Sequence, residues 1–128
     1  MTHRYYLSVG CNLEPREFRI EEAVGFLSSL PGSMICSTPY ATAPIGHDAG
    51  NERRHYLNAV AFLETELSAF DLDTCLKNYE KECGRTQAAR LHHDVPIDID
   101  IVIADDNVVR PKDFERYYFR QGYEELKY

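Results

Sequence analysis

The order of segments along the chain predicts an α+β fold: one antiparallel sheet, two helices on one of its faces, and a C-terminal helix. Three observations carry that reading. Two stretches with helical spacing, each about 15 residues long, lie between stretches rich in β-formers. The strand candidates alternate in polarity with a period of two. The 128 residues hold no repeat, linker or low-complexity run, so residues 1–128 form a single domain.

The first strand runs from Arg4 to Gly10, where β-formers end at a glycine. Asn12 precedes a helix, and Pro15 suits a first helical turn. Ile20, Ala23, Val24 and Leu27 then keep helical spacing until Leu30-Pro-Gly32 ends the run. Ser33 to Thr42 reads as a second strand. Pro39 cannot donate to a ladder, which implies a sheet edge. Ala43 to His55 carries prolines, glycines and mixed charge without periodicity, the composition of a long functional loop.

In the third strand, Tyr56 to Glu64, Tyr56, Asn58, Val60 and Phe62 share one face, and Leu57, Ala59, Ala61 and Leu63 the other. Both faces are largely apolar, so this strand is central. Ser68 opens the second helix with Asp71 three residues on. Leu72, Cys75, Leu76, Tyr79 and Cys83 continue it to Gly84, a C′ residue. Arg85 to Pro96 is a polar, basic loop. Ile97 to Ile103 alternates as a fourth strand, Asp105 to Asn107 turns, Val108 to Arg110 adds a short hairpin strand, and Lys112 to Tyr128 forms the last helix. The resulting order, βαββαβ, is the ferredoxin-like pattern, with the sheet's second face and its loops left to build a site.

Composition narrows the function. Lysine and arginine total 14 against 21 acidic residues, a net charge of −7. That balance opposes a broad nucleic-acid interface, which needs a basic face for counterion release. No run approaches about 18 apolar residues, and the N-terminus lacks the pattern of a secretion signal, so no membrane association and a cytoplasmic location are expected. Cys11, Cys36, Cys75 and Cys83 form no Cys-x-x-Cys pair and read as reduced core thiols.

Asp98 and Asp100 are the sharpest chemical feature. Strand alternation puts both carboxylates on one face while Ile97, Ile99 and Ile101 point at the helices. Such a pair suits either a polar outer face or a hard divalent ion bridged to phosphate oxygens. Arg85, Arg90, His92 and His93 precede it and supply cationic or switchable groups, a layout for phosphate plus metal. Tyr56 offers a stacking ring, and Asn58 an amide for the edge of a flat heterocycle, both close to the loop entered through Thr42-Ala-Pro-Ile-Gly46.

Several of these residues coincide with one family. Val9-Gly-Cys-Asn-Leu13, Tyr40-Ala-Thr-Ala-Pro-Ile-Gly46, Tyr56-Leu-Asn-Ala-Val60, Glu80 with Gly84-Arg85, and Asp98-Ile-Asp-Ile101 run in the order seen in 6-hydroxymethyl-7,8-dihydropterin pyrophosphokinases of folate biosynthesis. The chain resembles a short, divergent member. The resemblance implies an enzyme that moves pyrophosphate from ATP to the pterin hydroxymethyl, giving AMP and the pterin diphosphate. It implies that Asp98 and Asp100 hold two Mg²⁺ ions against the ATP phosphates, with Arg85 assisting catalysis. Thr42, Ile45, Tyr56 and Asn58 would take the pterin, with Tyr118 as the nearest match to a stacking phenylalanine. Glu80 and Arg85 would face ATP, and Lys77, Arg90 and His92 are candidates to join them.

Some positions depart from the pattern. A family Gly-Pro-Arg corresponds to His93-Asp94-Val95, so Val95 stands for an arginine, as do Gln87 and Leu91, and His92 for a tryptophan. Each missing phosphate-directed arginine would cost a few kcal/mol of transition-state stabilisation unless replaced. The alternative is therefore a weak or inactive homologue that binds nucleotide or pterin, or serves as an interaction module. The expected partners are the pterin and ATP, without nucleic acid, and the expected state is a monomer or small homo-oligomer.

Overall fold

The computed structural model describes residues 1–46, 50 and 55–127. Part of the expected loop over Ala43 to His55 and the last residue of the expected C-terminal helix lie outside the described residues. The chain forms an antiparallel sheet of β1 (His3–Cys11), β2 (Ser33–Cys36), β3 (Tyr40–Thr42), β4 (Tyr56–Thr65), β5 (Asp98–Ala104) and β6 (Asn107–Val108). Helices α1 (Arg16–Ser29), α2 (Ala69–Glu82), α3 (Gln87–Leu91), α4 (Pro111–Glu115) and α5 (Tyr117–Leu126) complete it. The sheet order is β2-β4-β1-β5-β6, with β3 also on β4, as the ferredoxin-like pattern requires.

Alternation explains the main core. Leu7 and Val9 of β1, Ala59, Ala61 and Leu63 of β4, and Ile99 and Ile101 of β5 meet Ile20, Ala23 and Leu27 of α1 and Leu72 and Leu76 of α2. Ser68 caps α2, its Oγ accepting from the Asp71 N–H at 3.1 Å. Gly84 follows that helix with a φ of +98°, which glycine adopts without steric cost. All four cysteines are free thiols, with Cys11 buried and the other three half-buried.

The structure corrects several expectations. The second strand is two strands: the ladder breaks around Pro39, and among the described residues β2 and β3 each pair with β4 alone, at the sheet edge. The polar loop after α2 contains the short helix α3, started by Thr86 Oγ1, which accepts from the Ala89 N–H at 3.2 Å. The final helix breaks at Arg116, whose extended backbone (φ −79°, ψ 145°) turns α4 into α5. The alternation expected through Ile103 is interrupted. A register shift pairs Tyr6 with Ile103 and Leu7 with Ile101, so Val102 is the extra residue of a bulge. Val102 and Ile103 therefore both join the core on the second face.

That second face is half covered rather than free. Phe119 of α5 is fully buried against Val60, Val102 and Ile103, flanked by Tyr6, Phe114 and Tyr123. Gly122 permits the approach: a β-carbon there would stand 2.6 Å from Val60 Cγ2 and 2.9 Å from Ser37 Oγ. The tyrosine-rich end of the chain is thus packing for this face. The uncovered part of the face holds the site.

Candidate active site

The same strand period that builds the core puts polar residues on the opposite face. Gly10 pairs with Asn58 of β4 on one side and with Asp98 of β5 on the other, and Ser8 pairs with Asp100. These residues and Tyr56 floor a cavity of about 430 Å³. Thr42, Ala43, Pro44 and Ile45 form one wall, and Arg110, Lys112, Asp113, Arg116 and Tyr118 form the other. Tyr56, Asn58, Thr42, Ile45, Asp98, Asp100 and Tyr118, separated by up to 76 positions in the chain, all line this cavity.

The Thr42 wall is held by hydrogen bonds. Asn58 Nδ2 donates to Thr42 Oγ1 at 2.5 Å, and both side chains are buried. A β-carbon on Gly10 would come within 2.9 Å of Asn58 Oδ1, so the bare backbone of β1 keeps room for the amide. Burial first, then the Asp98 charge, raises the Tyr56 pKa, so the ring stays a neutral phenol at physiological pH. Tyr118 is placed through α5: the Tyr40 hydroxyl donates to the Tyr118 carbonyl at 2.6 Å and accepts from the Gly122 N–H at 3.1 Å. The Tyr118 hydroxyl in turn donates to Asp113.

The carboxylate side is more crowded. Glu80, Asp98 and Asp100 bring ligand oxygens within 4.8 Å of one another. Arg85 Nη1 lies 2.8 Å from Asp98 Oδ1 and 3.9 Å from Glu80 Oε1, and it donates to the Ile97 carbonyl at 3.4 Å. Lys77 Nζ donates to Asp100 Oδ1 at 3.0 Å, to Glu80 Oε2 at 3.0 Å and to the Ile99 carbonyl at 3.1 Å. Glu80 Oε2 also accepts from the Ile99 N–H at 2.8 Å. Glu80 is thus a buried clamp between α2 and the start of β5. Burial and the neighbouring Asp98 charge push the Asp100 pKa up, against Lys77 and Arg110. Burial alone would lower the Lys77 pKa, but the Asp100 and Glu80 carboxylates outweigh it and raise it.

Oxygen donors of this kind fit a hard divalent ion, and Asp98 and Asp100 are the pair positioned to hold it on the cavity floor. Arg90 and His92, at α3, are exposed and stand away from the cavity lining. His93 adopts a φ of +59°, in the left-handed region where glycine is unstrained.

Other residues of the site were not singled out from sequence. Asn12 is buried and ties the segment before β5 to the end of β1: Nδ2 donates to the His93 carbonyl at 2.7 Å, and Oδ1 accepts from the Val95 N–H at 2.6 Å. Its signal was its place in the Gly10-Cys-Asn12 match. Arg110 reaches the carboxylates and Lys112 the cavity lining because the β5–β6 hairpin folds back, with the Val109 N–H donating to the Val102 carbonyl at 2.8 Å. Arg110 Nη1 stands 3.9 Å from Asp100 and also pairs with Asp113. Only the basic Arg110-Pro-Lys112 run hinted at this, and the turn at Arg116 that closes the wall left no sequence mark.

Comparison with known proteins agrees with this geometry. Residues 6–127 match the 7,8-dihydro-6-hydroxymethylpterin-pyrophosphokinase family (HPPK). A Porphyromonas gingivalis protein named 2-amino-4-hydroxy-6-hydroxymethyldihydropteridine pyrophosphokinase is 37% identical over 101 residues, covering 77% of this chain and 67% of that protein. Proteins of the same name are 31% identical in Methylorubrum extorquens over 122 residues (88% of this chain, 74% of the relative) and 28% identical in Bacillus subtilis over 92 residues (70% and 53%). The chain therefore belongs to the 7,8-dihydro-6-hydroxymethylpterin-pyrophosphokinase family.

Proposed function

We propose that the protein transfers pyrophosphate from ATP to 6-hydroxymethyl-7,8-dihydropterin, producing AMP and the pterin diphosphate for folate synthesis. The observation that carries this reading is one cavity lined by Tyr56 and Asn58 of β4 and by Asp98 and Asp100 of β5, the two strands that flank Gly10 of β1. Family membership supports the chemistry, and a cavity lined by both residue pairs supports a shared seat for the two substrates.

In this reading the pterin ring lies against Tyr56, with the Asn58 amide and the backbone near Thr42 and Ile45 taking its polar edge. Its hydroxymethyl oxygen points toward the aspartates and attacks the β-phosphorus of ATP. A new O–P bond forms, the bond from the β-phosphorus to the α-phosphate oxygen breaks, AMP leaves with that electron pair, and the hydroxyl proton passes to solvent. A divalent cation, Mg²⁺ in the cell, held by Asp98 and Asp100 would draw charge from the β- and γ-phosphates. Arg110, Lys112 and Arg116 neutralise phosphate charge from the opposite wall, where they take over from the arginines missing at Gln87, Leu91 and Val95. The protein's work is positioning and charge neutralisation.

Paired variants test the division of the cavity. Asp98→Asn is expected to lower turnover at least 100-fold while pterin binding, read by pterin fluorescence, persists. Asn58→Ala is expected to weaken pterin binding while ATP-analogue binding persists. Turnover by Asp98→Asn at the wild-type rate would overturn the assignment.

A further inference from the structure

We propose that Asp113 is a positioning residue for ATP: it holds the Arg110 guanidinium at the cleft wall with the Nη nitrogens left to phosphate, and is itself held by the Tyr118 hydroxyl. The inference rests on the pyrophosphoryl-transfer reading and concerns how its cationic wall is kept in place.

Asp113 stands out on that wall. A carboxylate beside Arg110, Lys112 and Arg116, where the triphosphate lies in that reading, would repel the phosphates unless its charge were already matched. Each of its oxygens has a partner. Oδ2 accepts from Arg110 Nε, on the residue that precedes α4, and Oδ1 accepts from the Tyr118 hydroxyl on α5. The side chain is 17% exposed, so water competes little for either bond. The extended backbone at Arg116 lets Tyr118 reach back to α4, and the Tyr40 hydroxyl fixes that turn by donating to the Tyr118 carbonyl at 2.6 Å. Asp113 is thus set from both sides of the α4–α5 break.

The consequence falls on Arg110. Its side chain is half-exposed, and a long side chain costs conformational entropy to hold in one place. The cavity floor sets Glu80, Asp98 and Asp100 against Lys77 and Arg85, an excess of negative charge that draws the guanidinium inward. Arg110 Nη1 nevertheless stops 3.9 Å from Asp100 Oδ1, beyond a hydrogen bond. Asp113 supplies the opposing pull, and its hydrogen bond is the leading cause of the raised Arg110 pKa, with burial acting against it. An arginine has five N–H donors, of which Asp113 takes the one on Nε. Among the described residues the Nη groups donate no hydrogen bond, which leaves a planar cation pre-set for phosphate oxygens.

Steady-state kinetics in both substrates tests this. Asp113→Asn keeps the shape and an acceptor for Tyr118 but removes the charge that holds Arg110. It is expected to raise the KM for ATP about tenfold while the pterin KM stays within about twofold. Tyr118→Phe keeps the ring, loses only the hydroxyl, and is expected to raise the ATP KM about threefold by freeing Asp113. In an Arg110→Gln background, Asp113→Asn should add less than about twofold, because its effect passes through Arg110. Circular dichroism confirms that each variant is folded, and a mere loss of folded enzyme would lower kcat with both KM values in place. An unchanged or lower ATP KM in Asp113→Asn, or an equal rise in both KM values, would overturn the inference and leave the proposed reaction standing. So would an undiminished effect of Asp113→Asn on top of Arg110→Gln. Absence of AMP formation by the wild type would overturn it together with the reading on which it rests.

Discussion

The side-chain oxygen of Asn58 stands 2.9 Å from the point that a β-carbon on Gly10 would occupy, across the β1–β4 ladder in which the two residues are partners. The neighbouring atom is the tip of a side chain, so Gly10→Ala forces the amide to rotate rather than the sheet to part. The expected result is a rise of about tenfold in KM for the pterin, or ~1.4 kcal/mol. The unfolding midpoint should move little, since alanine in a strand recovers some backbone entropy. Steady-state kinetics and urea unfolding check both halves, and an unchanged KM would remove Gly10 from the account.

Asn12 satisfies backbone groups at two positions of the segment that leads into the aspartates. Asn12→Ala leaves the Val95 N–H and the His93 carbonyl without that partner, and should cost about 2 kcal/mol of stability. Urea unfolding measures it. A loss below about 0.5 kcal/mol, the usual range of a surface substitution, would contradict the clamp.

Close packing of α5 depends on Gly122. A β-carbon there would lie 2.6 Å from Val60 Cγ2 and 2.8 Å from Val60 Cβ, both on the sheet. Gly122→Ala should therefore destabilise by roughly 1–3 kcal/mol through overpacking, even though alanine favours a helix by about 1 kcal/mol. A higher melting temperature for the variant would show that α5 does not seat as described.

How much of this was legible beforehand divides along physical lines. Periodicity revealed the strands, the two long helices and the Asp98/Asp100 face, because those depend on local alternation and capping. Tyr56 and Asn58 were legible because a polar pair inside an apolar strand demands a partner. The bulge at Val102 was not, since an unbroken apolar run gives no sign of an extra residue. The break at Arg116 and the cationic wall it builds were hidden for another reason: they depend on where α5 docks, which is set by Gly122 against β4 and by Tyr40, 70 positions before Arg110 in the chain. Lys77 was recognised as a cation near the site, but its three acceptors come from α2 and β5 together and cannot be read from either alone.

The thiols give a pH prediction. Burial pushes Cys11 and Cys36 up to about 11 from an ordinary 9. The folded state therefore holds these protons longer than the unfolded state. Their contribution to stability is full below pH 9 and is lost as pH rises toward 11. Folded protein should resist iodoacetamide at these two cysteines at pH 8 and lose stability between pH 9 and 11. Rapid labelling of Cys11 at pH 8 in the folded protein would contradict its burial.

The central claim is that one cleft joins a pterin seat to a pyrophosphoryl-transfer floor. Phosphorus-31 nuclear magnetic resonance of the protein with ATP, Mg²⁺ and 6-hydroxymethyl-7,8-dihydropterin tests it most directly. The account predicts that ATP resonances give way to AMP and a pterin diphosphate in equal amounts, without ADP. Intact ATP after prolonged incubation, or ADP in place of AMP, would contradict it.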